Sequence, residues 1–221
     1  MSDKSSQTIT IVIADDEELV RAGIREILLQ ANDFEIIGEA KDGFEVRDLI
    51  LKLHPRILLL DYRMPGPRAS EQEKWVRENH PDTFVLVLTA HDRDAYLTKA
   101  IESGIAGFLL KNENAEQLIY AIRRAAEGAI YFSNEQIERA QHWKQTVEAK
   151  WGSLSKRERE VLQHLAAGED NKSIAASLSI ALKTVEFHLT NILKKLELSS
   201  RDEAIVWMLK NEPDDPWAAK D

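Results

Sequence analysis

The chain contains no cysteine, so disulfides and thiolate metal sites are excluded and a cytoplasmic location is the natural default. No apolar run approaches the roughly 18 residues of a membrane span. Met1 to Thr8 is polar and lacks the apolar core of a secretory signal. No membrane partner is therefore expected. Positive charge is also scarce, with 29 Lys and Arg against 38 Asp and Glu and a net charge of −9. Spread evenly, that balance would argue against nucleic acid, but it is uneven. Residues 1–150 hold 19 Lys/Arg against 26 Asp/Glu, residues 151–210 hold 9 against 8, and the tail 211–221 holds 1 against 4. An acidic part and a near-neutral part are expected to do different jobs, and 221 residues suffice for two ordinary domains.

The most informative stretch is Ile57-Leu58-Leu59-Leu60-Asp61-Tyr62-Arg63-Met64-Pro65-Gly66. Four aliphatic residues run straight into a carboxylate, and a Pro-Gly turn follows. A short continuous apolar run predicts a strand buried on both faces, as in the middle of a parallel sheet. On this stretch alone, Asp61 reads equally as a cap for the next turn or as a functional carboxylate at the sheet edge where α/β folds bind ligands.

Its neighbours repeat the pattern. Thr8 to Ala14 is a strand candidate ending at Asp15-Asp16, and Phe34 to Ala40 is a second. Phe84 to Leu88 leads to Thr89, and Gly107 to Leu110 leads to Lys111. Between them, helical spacing is expected after Leu19, over Gly43 to Leu53 with Pro55 as the stop, over Ala69 to Asn79, over Ala95 to Ser103 and over Ala115 to Glu127. Strand and helix alternate, which predicts an α/β doubly wound five-stranded parallel sheet. Parallel strands put all their carboxyl ends on one edge, so Asp15, Asp16, Asp61, Thr89 and Lys111 converge by topology. Capping explains one carboxylate but neither the set nor the lysine. Hard oxygen ligands of this kind suit Mg²⁺, and a carboxylate can attack phosphorus to form an acyl phosphate. The ammonium and the hydroxyl would then hold the phosphoryl oxygens.

On Asp15-Asp16, Asp61 in DYRMPG, Thr89 in VLTAH and Lys111 in GFLLK, residues 8–128 resemble a CheY-like receiver domain of a two-component response regulator. The resemblance implies that Asp61 is the phosphoacceptor. It implies that Asp15, Asp16, Asp61 and the backbone carbonyl of Arg63 bind Mg²⁺, and that Thr89 and Lys111 contact the phosphoryl group. Phe108 matches the aromatic that changes rotamer on activation; read on its own it is equally a core aromatic. One departure stands beside the site. The family usually has an Asp-Gly pair two residues after Met-Pro-Gly, where this chain has Pro67-Arg68-Ala69-Ser70. The helix that follows has a thin apolar face, so a short or loosely docked helix is expected there.

Residues 129–152 form the join, with a polar helix expected from Glu135 to Lys150 capped by Ser133 or Asn134, and with Gly152 and Ser153 opening the last domain. Residues 153–209 predict an all-α four-helix domain: a capping box at Ser155–Glu158, a short helix from Asn171 to Leu178, a tight connection, a longer helix from Lys183 to Leu196, and a last helix capped by Ser199 or Ser200. Short helix, tight turn, longer helix is the helix-turn-helix plan. In the longer helix Val185, Leu189, Ile192 and Leu196 form one buried stripe, while Lys183, Phe187, Thr190, Asn191 and Lys194 lie opposite. An outward phenylalanine beside Thr, Asn and Lys suits a DNA major groove. The plainer reading is a solvated face with one stray aromatic. Residues 210–221 are an acidic tail.

The stretch LSKREREVLQHLAAGEDNKSIAASLSIALKTVEFHLTNILKKLELSSRDEA resembles the LuxR-type helix-turn-helix of NarL/FixJ regulators. It implies DNA contacts from Lys183, Thr184, Glu186, Phe187, Thr190, Asn191 and Lys194. Ala181 stands where a capping Ser or Thr is common, and Glu186 where several members have a base-contacting Lys. A carboxylate there repels phosphate but accepts from cytosine N4. Together the domains imply a transcription regulator that receives a phosphoryl group from a sensor histidine kinase, binds double-stranded promoter DNA and forms a homodimer on activation. Two alternatives stand beside it. A haloacid-dehalogenase-like phosphatase shares the strand-end Asp, Mg²⁺, hydroxyl and lysine, but typically has a second Asp two residues on, where this chain has Arg63; no enzyme is expected. An atypical regulator that binds a partner protein without specific DNA binding fits the acidity, Glu186 and Ala181.

Overall fold

In the computed structural model, which describes residues 8–67 and 69–211, the apolar runs form strands β1 (Ile9–Ala14), β2 (Phe34–Ala40), β3 (Ile57–Leu60), β4 (Phe84–Thr89) and β5 (Gly107–Leu110). They make one parallel sheet in the order β2-β1-β3-β4-β5. That order has its reversal between β1 and β3, and ligands of doubly wound sheets gather at the carboxyl ends on either side of such a reversal. All of Ile57 to Leu60 is buried, as are Ile11 to Ala14 and Val85 to Leu88. Burial on both faces is why these strands read as continuous apolar runs and not as alternating ones.

The connecting helices are α1 (Glu18–Leu28), α2 (Gly43–Leu53), α3 (Ala69–Asn79), α4 (Asp94–Ser103) and α5 (Ala115–Ala126). Their ends follow local chemistry. The Asp42 carboxylate accepts from the N–H groups of Phe44 and Glu45, and the Asn114 side chain accepts from Gln117 N–H. Gly104, at φ +81°, ends α4 in the left-handed region. A core of Ile11, Ile13, Leu59, Leu86 and Leu109 packs against Ile24 and Leu28 of α1 and Leu118, Ala121, Ile122 and Ala125 of α5. Phe108, on β5, is 2% exposed.

The expectation of a short or loose α3 is corrected. The helix runs for 11 residues and buries Ala69, Gln72, Glu73 and Val76. Half of this inward face is polar, and that half docks by hydrogen bonds. Gln72 is fully buried; its amide donates to Gly43 O and its carbonyl oxygen accepts from Arg47 Nε at 2.9 Å. A count of apolar residues misses a helix held this way. Arg68, within the departure that precedes it, lies outside the described residues.

The chain divides into two compact units between Ile137 and Glu138, inside the stretch read as a join. Helix α6 (Asn134–Trp143) begins with a reciprocal cap: Ser133 Oγ accepts from Gln136 N–H at 3.1 Å, and Gln136 Oε1 accepts from Ser133 N–H at 2.9 Å. Helical geometry continues through a π-helical segment, Lys144–Glu148, into α7 (Ala149–Ser153). Gly152 and Ser153, expected to open the last domain, therefore close this helix. Glycine costs a helix only about 1 kcal/mol relative to alanine, and the Ser153 hydroxyl donates to Lys150 O at 2.6 Å.

The C-terminal unit carries the four expected helices as α8 (Lys156–Ala166), α9 (Asn171–Ser177), α10 (Leu182–Leu196) and α11 (Arg201–Asn211). Trp151, Val161, Leu162, Leu165, Ile174, Val185, Ile192, Leu196 and Ala204 form its core. Ser200 caps α11 by accepting from Glu203 N–H at 3.2 Å. Among the described residues no helix is long and apolar enough to cross a membrane. Of the acidic tail, residues 212–221 lie outside the described residues.

Candidate functional site

Each strand-end residue is held by a ladder that runs past its strand. Asp15 N–H donates to Ala40 O at 3.0 Å, Asp61 N–H to Ala14 O at 2.8 Å, and Lys111 N–H to Thr89 O at 2.8 Å. Backbone pairing thus fixes where the side chains start. Carboxylate oxygens of Asp15, Asp16 and Asp61 all lie within 4.8 Å of one another. Lys111 Nζ sits 2.7 Å from Asp15 Oδ2 and 3.2 Å from Asp61 Oδ2, with Glu17 Oε1 at 3.9 Å. Asp15 and Asp61 are buried and Asp16 is exposed, so the cluster opens to solvent on one side. Thr89 is fully buried, and its hydroxyl oxygen accepts from His91 N–H at 3.2 Å.

Burial pushes the Asp61 carboxyl up to about 6, and the nearby Asp15 charge adds to it, while Lys111 and the Arg63 N–H hold it down. For Lys111, burial works against the ammonium, but Asp15 and Asp61 outweigh it and raise the group above its ordinary value. Three carboxylates against one close ammonium leave an excess of negative charge in a partly buried pocket. Hard oxygen donors with that excess are what a small divalent cation requires. Receiver domains typically hold Mg²⁺ in such an acidic pocket, and this donor set fits it.

The surroundings tie the pocket to the helices. Gly43 N–H donates to Pro65 O at 2.8 Å, which anchors the loop after Asp61 to the start of α2. A Cβ on Gly43 would lie 2.9 Å from Pro67 O and 2.8 Å from Gln72 Nε2, so only glycine permits this approach. The backbone after Asp61 is thus tied to the start of α2 at Pro65, and Gln72 of α3 ties to the same glycine. Tyr62, next to Asp61, stacks on Tyr96 of α4 with ring centroids 4.5 Å apart. The Arg63 guanidinium lies 2.7 Å from His91 Nε2. His91 was missed as a site neighbour; its position just past the end of β4 was the available signal.

The second candidate surface is α10. Val185, Ile192 and Leu196 are fully buried and Leu189 partly so. Lys183, Glu186, Phe187, Thr190 and Lys194 are exposed, and Thr184 and Asn191 are half-buried. Phe187 is 63% exposed. The outward face is thus the one expected from the helical period, with Glu186 on it. Ala181 stands at the N-cap and offers no side-chain cap, and the Thr190 hydroxyl donates back to Glu186 O at 2.9 Å. A short turn with Ser179 at φ +54° separates α9 from α10. Lys195 faces elsewhere: its Nζ lies 2.6 Å from the buried Glu158 of α8.

A helix-turn-helix unit and a receiver-like sheet in one chain are also what comparison with known proteins finds. The response regulator receiver domain model matches residues 11–123, and the model of bacterial regulatory proteins of the luxR family matches residues 152–208. Oxygen regulatory protein NreC of Staphylococcus epidermidis is 38% identical over 212 residues, covering 91% of this chain and 97% of that protein. The chain is a response regulator of the NarL/FixJ family. Transcriptional regulatory protein DegU of Brevibacillus brevis is 33% identical over 221 residues, 92% of this chain and 94% of its own. A solved structure of two RcsB dimers bound to two parallel DNAs superposes with a TM-score of 0.61 at 26% identity, covering 92% of this chain and 98% of that one. This response regulator is accordingly a DNA-binding one, with the fold class expected of it.

Proposed function

We propose that this regulator is switched by phosphorylation of Asp61 and reads promoter DNA with the outward face of α10. The observation that carries the first half is the Lys111 ammonium set between Asp15 and Asp61 in a three-carboxylate pocket. With its carboxyl held up only to about 6, Asp61 is mostly ionised at neutral pH and can act as a nucleophile. One Asp61 oxygen attacks the phosphorus of a phosphohistidine on a sensor histidine kinase. The new O–P bond forms as the N–P bond breaks, and the imidazole leaves with the electron pair. Lys111 then neutralises a phosphoryl oxygen, and the hydroxyl of Thr89, at the end of the strand that pairs with β3, would donate to another. Asp15, Asp16, Asp61 and the Arg63 carbonyl would hold Mg²⁺, which when bound offsets charge on the transferring group. Phe108 of β5, opposite Val87 of β4, is the aromatic we assign to the switch, and activation is read as homodimer formation.

Replacing Asp16 by Ala removes one charge from the metal pocket but not the nucleophile. Magnesium affinity, followed by any local spectroscopic probe, is expected to fall; an unchanged affinity would mean that the acidic pair only starts α1.

On α10, Lys194 is assigned to phosphate, and Lys183, Thr184, Glu186, Phe187, Thr190 and Asn191 to the groove. Lys194→Ala is expected to weaken all duplexes alike and to lower the salt slope by about one unit. Phe187→Ala is expected to cost about 1–3 kcal/mol on the preferred site and less on random duplex. The Thr190 hydroxyl, already donating to its own helix, can offer a base only its lone pair or its methyl. If Glu186 reads cytosine, Glu186→Lys reorders site preference; tighter binding to every duplex with the ranking kept would instead assign it to phosphate repulsion. Competitive binding across a duplex library at several salt concentrations measures all of these.

A further inference from the structure

Away from the carboxylate edge, α3 grips the end of α4 with two groups one turn apart. The Arg77 guanidinium donates to Ser103 O, and the Glu73 carboxyl meets the Ser103 hydroxyl. Glu73 is 2% exposed, and its Oε1 has no hydrogen-bond partner. Ser103 Oγ also lies 2.8 Å from Ala100 O. A hydroxyl has one hydrogen and cannot donate to both Ala100 O and a carboxylate. The two contacts are satisfied together only if the proton between Glu73 and Ser103 belongs to Glu73. Its acid O–H then donates to Ser103 Oγ, and Ser103 Oγ–H donates to Ala100 O.

An ionised carboxylate in this place would be poorly supplied. It would have at most one shared donor for Oε2, none for Oε1, and no exposure to water. The charged and titratable groups facing it are few. Arg77, on its own helix, is the one other charged side chain among those lining the adjoining cavity of about 290 Å³. From α4 the facing group is Ser103, and the start of β4 with the segments just before β4 and β5 presents Thr83, Phe84, Val85, Ile105 and Ala106, all uncharged. The guanidinium donates to the Ser103 carbonyl, and Glu73 Oε1 has no hydrogen-bond partner.

We propose that Glu73 is carried as the neutral acid in the folded protein, and that its proton is a structural part of the α3–α4 contact. Loss of that proton loosens the carboxyl end of α4, the same helix whose Tyr96 stacks on Tyr62 beside Asp61. Burial favours the neutral form, against the opposing pull of the Ser103 hydroxyl and Arg77, and pushes the carboxyl up to about 8. A carboxyl raised in the folded state stabilises fully below its unfolded value, and that contribution is lost as pH rises through about 8.

The test uses the full chain. Hydrogen exchange of the α3 and α4 amides, corrected for intrinsic pH dependence, is followed from pH 6.5 to 9.5 in the wild type and in Glu73→Gln. The amide of Glu73→Gln supplies a permanent N–H in place of the acid proton. Protection in the wild type is expected to fall by up to about tenfold per pH unit as pH rises towards the folded value of about 8 and to level off above it, while Glu73→Gln stays flat. Parallel profiles in the two proteins would overturn the proposal. Should the variant not fold, infrared difference spectra of the wild type alone decide: a protonated-carboxyl band present at pH 7 and lost by pH 9.5 is expected, and its absence at pH 7 contradicts the neutral acid.

Discussion

Asp61→Asn is expected to abolish phosphorylation of this chain by a small acyl-phosphate donor in the presence of Mg²⁺. The amide keeps the shape of the carboxyl and the ladder bond from Asp61 N–H to Ala14 O, so the sheet edge survives. What it loses is the anionic nucleophile. It also removes one of the two carboxylates that hold Lys111, leaving Asp15 at 2.7 Å as that lysine's remaining close partner. Other carboxylates at the edge do not replace Asp61. Asp15 is closed over by Lys111 and by Glu17 N–H, which donates to it at 3.0 Å, and Asp16 projects outward. Intact-mass analysis should show one adduct on the wild type and none on the variant. An undiminished adduct on the variant would move the phosphoacceptor elsewhere.

The second large effect is on the DNA-binding unit. Glu158 is 4% exposed and is shared by two structures. It closes the capping box of α8 by accepting from Ser155 N–H at 2.7 Å, and it receives Lys195 of α10 at 2.6 Å. Burial disfavours its charge, but Lys195 and the Ser155 groups outweigh that and hold its carboxyl below the usual value. Removing one partner of a buried pair costs about 3–5 kcal/mol, and loss of a cap costs about 1 kcal/mol. Lys195 is partly exposed and can turn to water, which discounts the first figure. Glu158→Ala is therefore expected to destabilise the unit by about 2–3 kcal/mol, read as lost hydrogen-exchange protection across α8 and α10. The same group gives an acid limb. Its stabilisation is present above the unfolded carboxyl value and is lost as pH falls through the lower folded value. A change below about 0.5 kcal/mol, the level of an ordinary surface substitution, would show that α10 is set by its apolar stripe alone.

The strands and the carboxylate cluster were legible in the sequence because both rest on short-range rules. A buried parallel strand must be apolar throughout, and a parallel sheet must gather its carboxyl ends on one edge. Asp15, Asp16, Asp61, Thr89 and Lys111 could be assigned to one edge from four strand ends without any tertiary detail. The phase of α10 was legible for the same reason, since the buried stripe fixes which way Phe187 and Glu186 point. What was not legible depends on partners distant in sequence. Helix α3 was underrated because Gln72 and Glu73 look like surface residues until Gly43, Arg47 and Ser103 are brought to them. The partner of Lys195 was likewise hidden: it is Glu158, 37 residues away. The run from Lys144 to Ser153 stays helical past Gly152, where a composition reading breaks it. In α3 and at Lys195, polar groups meet tertiary neighbours that no local window contains.

The account stands on Asp61 controlling what α10 does, and the most direct measurement is duplex affinity at fixed salt with and without an acyl-phosphate donor and Mg²⁺, in the wild type and in Asp61→Asn. The wild type is expected to bind a preferred duplex with an affinity that changes when the donor is added, while Asp61→Asn binds with one affinity in both conditions. An equal response in the two proteins, or no DNA complex from the wild type at any salt, would contradict it.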